Sequence, residues 1–438
     1  MRAVDRELQQ AMSFATVVGH NQPIDILRRA VAEGRVATAY LFVGPPNVGK
    51  TLVATEFARA VNCERLPAEA TPEQVEACGE CHNCVRIGQE NHPDLHVLRP
   101  AVAIDVRQPT AEDLLEDREA LDQEAADEDE RDAARVRTAK QKVYLELPDA
   151  LIQTERVHDT IRYAYAKPAL GRRKVVIVVS TDTMNDEAAN RLLKTLEEPP
   201  PDTTFVLTTA RPDHLLPTIV SRCQVVRFHA MAHAALRAAL GERFPDADPA
   251  MLDAATAMAG GRYGRARRLI DAPELVELRA GLLDLAARTG DAQLVECLAL
   301  GERLMAMPEA WWAATEQAEA GEGDSESERR MRLEALEALA KNSPDRISRI
   351  QMQEILDVLQ TWYRDLTLLR SAPGSALVIN ADRGEQLAAL APMYSPAGLV
   401  WASQVIEESR RELTVHNANL RLACQVLMVK LIAATRRR

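Results

Sequence analysis

The sequence predicts an α/β protein with a parallel β-sheet, followed by an all-helical region. Three observations support this class. A phosphate-binding loop stands between a short apolar strand, Ala39–Val43, and a helix that starts near Leu52. Strands and helices then alternate as far as Phe228, as in doubly wound sheets. From about Pro273 onward, apolar residues recur at helical spacing.

The phosphate-binding loop is complete. It reads Gly44-Pro45-Pro46-Asn47-Val48-Gly49-Lys50-Thr51. Glycines let backbone N–H groups turn inward around phosphate oxygens, and the N-terminus of the following helix adds positive potential. Lys50 can reach the β and γ phosphates, and Thr51 can ligate magnesium. Because strand and helix are both in place, we favour a nucleotide site, for ATP or ADP with Mg²⁺, over a chance glycine turn.

Four of the seven cysteines predict a structural zinc site. They are Cys63, Cys78, Cys81 and Cys84. A Cys-x₂-Cys-x₂-Cys run with one upstream thiolate supplies four soft ligands and leaves no open position for catalysis. An iron–sulfur cluster is the rival, but no fourth cysteine follows three residues later before a proline. His82 lies between two ligands and is interpreted as a bystander.

The remaining strands of the predicted sheet follow in order. Val175–Val179 is entirely apolar, as expected of a strand buried in a parallel sheet. Asp186–Glu198 has a helical apolar face and ends at Pro199. Two further strands are expected at Thr204–Thr209 and Gln224–Phe228. This alternation continues the α/β pattern that the phosphate-binding loop begins.

Composition and charge limit the class of protein. At 438 residues we expect two or three domains. The net charge of −12 is concentrated between Glu112 and Asp132, where twelve acids against two arginines give −10 and leave −2 elsewhere. We interpret this block as a solvated insertion, and a second acidic stretch, Glu316–Glu328, as a linker. No long apolar run or secretory pattern is present, so a soluble cytoplasmic protein without a membrane partner is expected.

The C-terminal helices carry one broad apolar stripe. It comprises Met352, Ile355, Leu356, Leu359, Trp362, Tyr363, Leu366 and Leu369. Such stripes usually form a core. The closing helix is expected to begin at Asn419, a suitable N-cap residue. We interpret the basic end, Arg436–Arg438, as favourable for a helix C-terminus, with nucleic-acid contact as the alternative.

Several segments together resemble the AAA+ subunits of the bacterial DNA polymerase III clamp loader. They are Asn190–Pro200, Phe205–Thr209, Ser221-Arg222-Cys223 and the four-cysteine insertion. The resemblance covers the chain from about Met12 onward and implies a division into parts. These are an extension at 1–11, an AAA+ domain at 12–228 with a zinc module at 63–84 and an acidic insertion at 105–140, a helical lid at 229–272, and a helical collar at 273–438 with an acidic linker at 314–330.

The resemblance also implies a role and partners. Clamp-loader subunits of the gamma/tau and delta types, the sliding clamp and primer-template DNA are expected partners. Two types of subunit compete: the ATP-hydrolysing gamma/tau motor, and the delta-prime type beside it in the ring. The strand that should end in two acids has Val179 and Ser180 in their places. Loss of a general base costs about 10²- to 10⁴-fold in rate, which favours the delta-prime type. The motor alternative requires Asp182 to act as the metal-binding acid.

Three further residues match family positions. Arg222 matches the arginine finger that enters a neighbouring subunit's nucleotide site, and a surface ion pair is the alternative. Arg265 matches the lid arginine that senses nucleotide, with helix capping as the alternative. Thr209 falls at the sensor position on a strand end, where the alternative is a hydroxyl bonded to backbone. Because no further segment follows the closing helix, we also expect no long extension beyond the collar.

Overall fold

The computed structural model describes residues 13–107, 140–146, 150–319, 334–336, 338–339, 341, 343–375, 377–414 and 418–436. Three predictions fall outside these ranges. They concern the extension at 1–11, the acidic block Glu112–Asp132, and the linker beyond residue 319. The last two arginines of the basic end lie outside them as well.

A five-stranded parallel sheet forms the centre of the N-terminal part. Its strands are β1 (Ala39–Val43), β2 (Leu95–Leu98), β5 (Lys174–Val178), β6 (Thr203–Thr209) and β7 (Gln224–Arg227). Their order is β2-β5-β6-β1-β7, with every neighbouring pair parallel. Strands β1, β5 and β6 are buried along their whole length because helices cover both faces. The predicted α/β class is therefore confirmed.

Six helices accompany this sheet. They are α1 (Asn21–Ala32), α2 (Lys50–Asn62), α3 (His82–Gly88), α4 (Thr154–Tyr165), α5 (Asp186–Glu197) and α6 (Pro217–Arg222). One apolar cluster includes Leu27 of α1 and Phe57 of α2, and a second includes Leu192 of α5. Helix α5 begins where Asn185 accepts a hydrogen bond from the Ala188 N–H. The sheet is thus covered by two separate cores.

An antiparallel hairpin, which the sequence did not predict, interrupts this pattern. It consists of β3 (Ala101–Arg107) and β4 (Lys140–Glu146). The expected limits of the acidic insertion, 105 and 140, fall within these two strands. Ile104 and Leu145 of the hairpin form an apolar cluster with residues that include Leu336 and Ile350. The hairpin therefore packs against the C-terminal helical region.

The C-terminal part is helical throughout the described residues. Its helices are α7 (His233–Arg243), α8 (Pro249–Ala259), α9 (Tyr263–Asp271), α10 (Glu274–Arg288), α11 (Cys297–Glu319), α12 (Pro344–Ser371), α13 (Gly384–Leu390), α14 (Pro396–Thr414) and α15 (Leu420–Ala434). Helices α7 to α9 share a small core around Leu236 and Leu252. The predicted apolar stripe lies on α12 and is buried in one large cluster. Asn419 caps α15, as predicted.

None of the helices in the described ranges is both long and apolar enough to cross a membrane.

Candidate functional site

The phosphate-binding loop lies at the carboxyl end of β1, between the ends of β6 and β7. The Gly44 N–H donates to the Thr209 carbonyl at 3.2 Å, and the Phe228 N–H donates to the Val43 carbonyl at 2.7 Å. A Cβ on Gly44 would lie 2.4 Å from the Phe228 carbonyl oxygen. Glycine is therefore required at this position by the close approach of the neighbouring backbone.

Lys50 occupies the inside of the loop. Its Nζ donates to the carbonyls of Gly44 at 2.7 Å and Pro45 at 2.6 Å. Gly49, with φ of +107°, turns the chain into α2. Burial lowers the pKa of Lys50 to about 8, against the opposing effect of the Asp182 charge. A phosphate group would replace two neutral carbonyl acceptors with a stronger anionic one.

His20, which the sequence analysis missed, braces the loop from α1. Its Nε2 lies 2.6 Å from the Val48 carbonyl oxygen, and its ring packs edge-on against Phe228 at 5.0 Å between centroids. Burial lowers the pKa of His20, so the neutral ring is favoured. The neutral form can still donate one N–H to Val48. No motif marks this contact, because His20 and Val48 meet only through the fold.

Helix α9 touches the loop through its backbone. The Gly264 N–H donates to the Asn47 carbonyl at 3.0 Å, and Asn47 has a left-handed φ of +59°. Arg265, the next residue on α9, has Glu354 and Asp357 of α12 as its acidic neighbours. Burial lowers the pKa of Arg265 to about 10. Arg265 is the third residue of α9, whose N-cap residue is Arg262.

The end of β5 carries no acid at the two aligned positions. Val179 is partly buried against apolar neighbours, and Ser180 adopts a left-handed φ of +52°. A short 3₁₀ turn, Thr181–Thr183, follows and directs Asp182 toward the end of β6. Thr209 Oγ1 donates to Asp182 Oδ1 at 2.8 Å, and Arg211 Nε donates to Oδ2 at 2.9 Å. Thr209 therefore bonds to a carboxylate, as neither sequence interpretation anticipated.

Arg222 lies at the opposite end of the sheet from the loop. It ends α6, two residues before Gln224 opens β7, whereas the loop follows the last residue of β1. Its side chain is 52% exposed and pairs with Glu197 of α5 at 3.1 Å. Exposed pairs of this kind contribute about 0 to 1 kcal/mol, so the guanidinium is available to another partner.

The four cysteines come together as predicted. Their sulfur atoms all lie within 4.8 Å of one another, with Cys78 Sγ 3.9 Å from Cys84 Sγ. Zn–S bonds of about 2.3 Å in a tetrahedron place sulfurs about 3.8 Å apart. The backbone N–H groups of Cys81 and Cys84 point to the sulfurs of Cys78 and Cys81. The donor set fits a closed zinc site, and His82 is exposed outside it.

The cysteine cluster is attached to the helix that begins at the phosphate-binding loop. Cys63 is the C-cap of α2. Within α2, the buried Arg59 donates from Nε to the Cys84 carbonyl at 2.9 Å and pairs with Glu56 at 2.8 Å. Asn83 Nδ2 donates to the Asn62 carbonyl at 3.0 Å. One helix therefore connects the two candidate ligand sites.

Comparison with known proteins identifies the N-terminal part. A family model described as "DNA polymerase III, delta subunit" matches residues 19–232. DNA polymerase III subunit delta' of Pseudomonas aeruginosa is 31% identical over 233 residues, which cover 53% of this chain and 56% of that protein. Subunit delta' of Bacillus subtilis is 30% identical over 227 residues, 52% of this chain and 52% of that protein.

A tau/gamma subunit is about as similar. Subunit tau/gamma of Haemophilus influenzae is 32% identical over 253 residues, 57% of this chain and 29% of that protein. These matches span roughly half or less of each relative's length. Residues 19–232, which carry the parallel sheet and the phosphate-binding loop, are therefore similar to subunits of DNA polymerase III, in agreement with the resemblance to the AAA+ subunits of its clamp loader.

Proposed function

We propose that the chain acts as the delta-prime subunit of a clamp loader. Together with gamma/tau and delta subunits it would support ATP-dependent loading of a sliding clamp onto primer-template DNA in the cytoplasm. The observation that carries the proposal is that the phosphate-binding loop and Arg222 lie at opposite ends of the sheet. The loop end of the sheet can hold phosphate but has Val179 and Ser180 where a motor has acids, whereas Arg222 is exposed at the other end.

The loop would bind ATP or ADP without hydrolysing it at a motor's rate. Lys50 and the N-terminus of α2 supply positive charge for phosphate, and Thr51 supplies a hydroxyl for Mg²⁺. Neither Val179 nor Ser180 can accept a proton from water as a carboxylate does. Absence of that base predicts a loss of about 10²- to 10⁴-fold in the hydrolysis rate.

Arg222 would serve a neighbour's site rather than its own. Strand β7 pairs in parallel with β1 over four residues, from Tyr40 opposite Gln224 to Val43 opposite Arg227. At about 3.3 Å per residue, the two ends of this ladder lie roughly 10 Å apart. Because Arg222 precedes the ladder and the loop follows it, Arg222 lies at the end of the sheet opposite its own phosphate-binding loop.

The motor role is the second candidate, because a tau/gamma subunit matches about as well as the delta' subunits. The two roles differ in one measurement. A motor should hydrolyse ATP at a site that requires Lys50, whereas the delta-prime role requires Arg222 for a neighbour's hydrolysis. The cysteine cluster, as a structural zinc site, is common to both.

The test is ATP turnover by the reconstituted loader with primed DNA and clamp. Arg222→Ala should lower hydrolysis at the adjacent motor site by about 10³-fold or more, as expected for loss of an arginine finger. Arg191→Ala is the matched control, since Arg191 on α5 is 49% exposed and also pairs with a glutamate. If Lys50→Ala abolishes turnover and Arg222→Ala does not, the roles are reversed and the motor assignment is correct.

A further inference from the structure

We propose that Arg59 and Asn83 are positioning residues for a metal ion at the four-cysteine cluster. Their side chains make two crossed hydrogen bonds between α2 and α3, and these bonds hold Cys63 and Cys84 at the separation that a shared metal requires. The inference goes beyond the clamp-loader role and does not depend on it, because it concerns only the candidate metal site.

The four cysteines come from two separate segments of the chain. Cys84 lies in the first turn of α3, and its N–H points to the sulfur of Cys81, the N-cap residue of that helix. The Cys81 N–H points in the same way to the sulfur of Cys78. Local spacing therefore places these three sulfurs. Cys63, at the end of α2, lies too far along the chain for local spacing to place it, so contacts between α2 and α3 must do so.

The first crossed bond runs from α2 to α3. Arg59 stands one helical turn before Cys63, and its side chain is fully buried. Its Nε donates to the Cys84 carbonyl at 2.9 Å. A donor that carries charge makes a stronger hydrogen bond than a neutral one. Cys84 Sγ lies 3.9 Å from the Arg59 carbonyl oxygen, so Arg59 contacts both the backbone and the sulfur of Cys84.

The second crossed bond runs from α3 to the residue just before Cys63. The buried Asn83 donates from Nδ2 to the Asn62 carbonyl at 3.0 Å. Its Oδ1 lies 2.9 Å from Nε2 of His92, whose Nδ1 accepts the Asp94 N–H at 3.0 Å. Since Nδ1 is an acceptor, the neutral ring carries its proton on Nε2 and donates it to Asn83. The amide of Asn83 is therefore held in one orientation from both sides.

The ion pair of Arg59 is better explained by this role than by stability. Arg59 Nη1 pairs with Glu56 Oε1 at 2.8 Å, and neither side chain is exposed. Replacing a buried ion pair by apolar residues of similar volume is often neutral or stabilising. An apolar pair at these positions could not donate a hydrogen bond to the Cys84 carbonyl. Glu56 therefore supplies the charge that allows Arg59 to be buried beside the cysteines.

The test is the zinc affinity of the full-length chain, measured by competition with a chromophoric chelator. The variant is Glu56→Leu combined with Arg59→Met, which removes both charges and leaves neither unpaired. We expect the Kd for zinc to rise by about 10- to 100-fold, as is typical when an outer contact to a metal ligand is lost. The visible absorption of the Co²⁺-substituted chain should also weaken, because Cys84 is no longer held in a tetrahedral set of thiolates.

Two further variants separate this role from a general effect on folding. Asn83→Ala removes the second crossed bond without a change of charge, and it should weaken zinc binding and the Co²⁺ absorption in the same direction. Arg279→Met combined with Asp382→Asn is the control. Arg279 on α10 is also buried and pairs with Asp382 at 2.8 Å, so its loss should leave zinc affinity unchanged even where the melting temperature falls.

The inference is overturned by an unchanged zinc affinity and Co²⁺ spectrum in the Glu56→Leu and Arg59→Met double variant, provided that circular dichroism shows a folded chain. If that variant does not fold, Asn83→Ala decides in the same way. A wild type that binds no zinc also overturns it. That result leaves the arginine-finger proposal standing, because the latter is measured in a neighbour's nucleotide site.

Discussion

The two ends of the parallel sheet differ in how firmly they are held. At the carboxyl end, the phosphate-binding loop is held by Lys50, by His20 and by a backbone hydrogen bond from Gly264 of α9. At the amino end, Arg222 is half exposed and pairs on the surface with Glu197. The comparison indicates that one end is built for internal rigidity and the other for an external contact. We therefore expect substitutions at the carboxyl end to lower stability, and substitution of Arg222 at the amino end to lower activity with little change in stability.

Loss of the zinc site should have the largest effect on stability. Cys84→Ser, or chelation of the metal, removes a group whose binding energy contributes directly to folding. We expect the free energy of unfolding to fall by several kcal/mol, and metal analysis of the wild type to give one zinc per chain. Cys223→Ser is the control, because Cys223 is partly buried outside the cluster. Equal melting temperatures for the two variants would contradict a structural metal.

Gly44→Ala should destabilise the carboxyl end. The new Cβ would stand 2.4 Å from the Phe228 carbonyl oxygen, so the strand or the loop must shift. We expect a loss of about 1 to 3 kcal/mol, measured by urea unfolding. Gly281→Ala is the matched control, since nothing lies within 4 Å of its Cβ in α10, and a gain of about 0.5 to 1 kcal/mol is expected. If both variants behave alike, the loop is not closely packed.

Arg222→Ala should have the smallest effect on stability. Its ion pair with Glu197 is exposed, and such pairs contribute about 0 to 1 kcal/mol. The melting temperature should therefore stay within about 2 °C of wild type, as measured by scanning calorimetry. A large destabilisation would mean that Arg222 has a structural role, and the activity loss in the reconstituted loader would then need another explanation.

The parts of the site that were predictable from the sequence depend on local spacing. The phosphate-binding loop, the four cysteines and the strands around them have patterns that are complete within a few residues. The contacts of His20 and Asp182 could not be predicted, because each side chain meets a residue about 30 positions away through the packed fold. The left-handed Ser180 is also not marked by glycine, so nothing in the sequence indicated that the chain would turn back there. Arg265 was matched by position, but its acidic neighbours depend on how α9 packs against α12.

The hairpin β3–β4 could not be predicted from the sequence for a different reason. Its strands border a strongly acidic segment whose composition indicates a solvated insertion. The alternation of apolar residues in β3, at Val102 and Ile104, is too short to predict a strand beside that segment. Their apolar contacts lie with residues more than 180 positions away, including Leu336 and Ile350. Contacts between residues so far apart in the sequence cannot be predicted from the residues of the hairpin alone.

Helix α2 extends from Lys50 to Asn62, with the phosphate-binding loop at its first turn and Cys63 of the four-cysteine cluster just after its last. Thirteen residues at about 1.5 Å each make a rod of roughly 20 Å. Ten consecutive residues of it, Val53–Asn62, are buried. A rod held along its length cannot rotate or slide at one end alone. A metal bound by the four cysteines would therefore also limit how far the phosphate-binding loop can move, although none of these cysteines touches that loop.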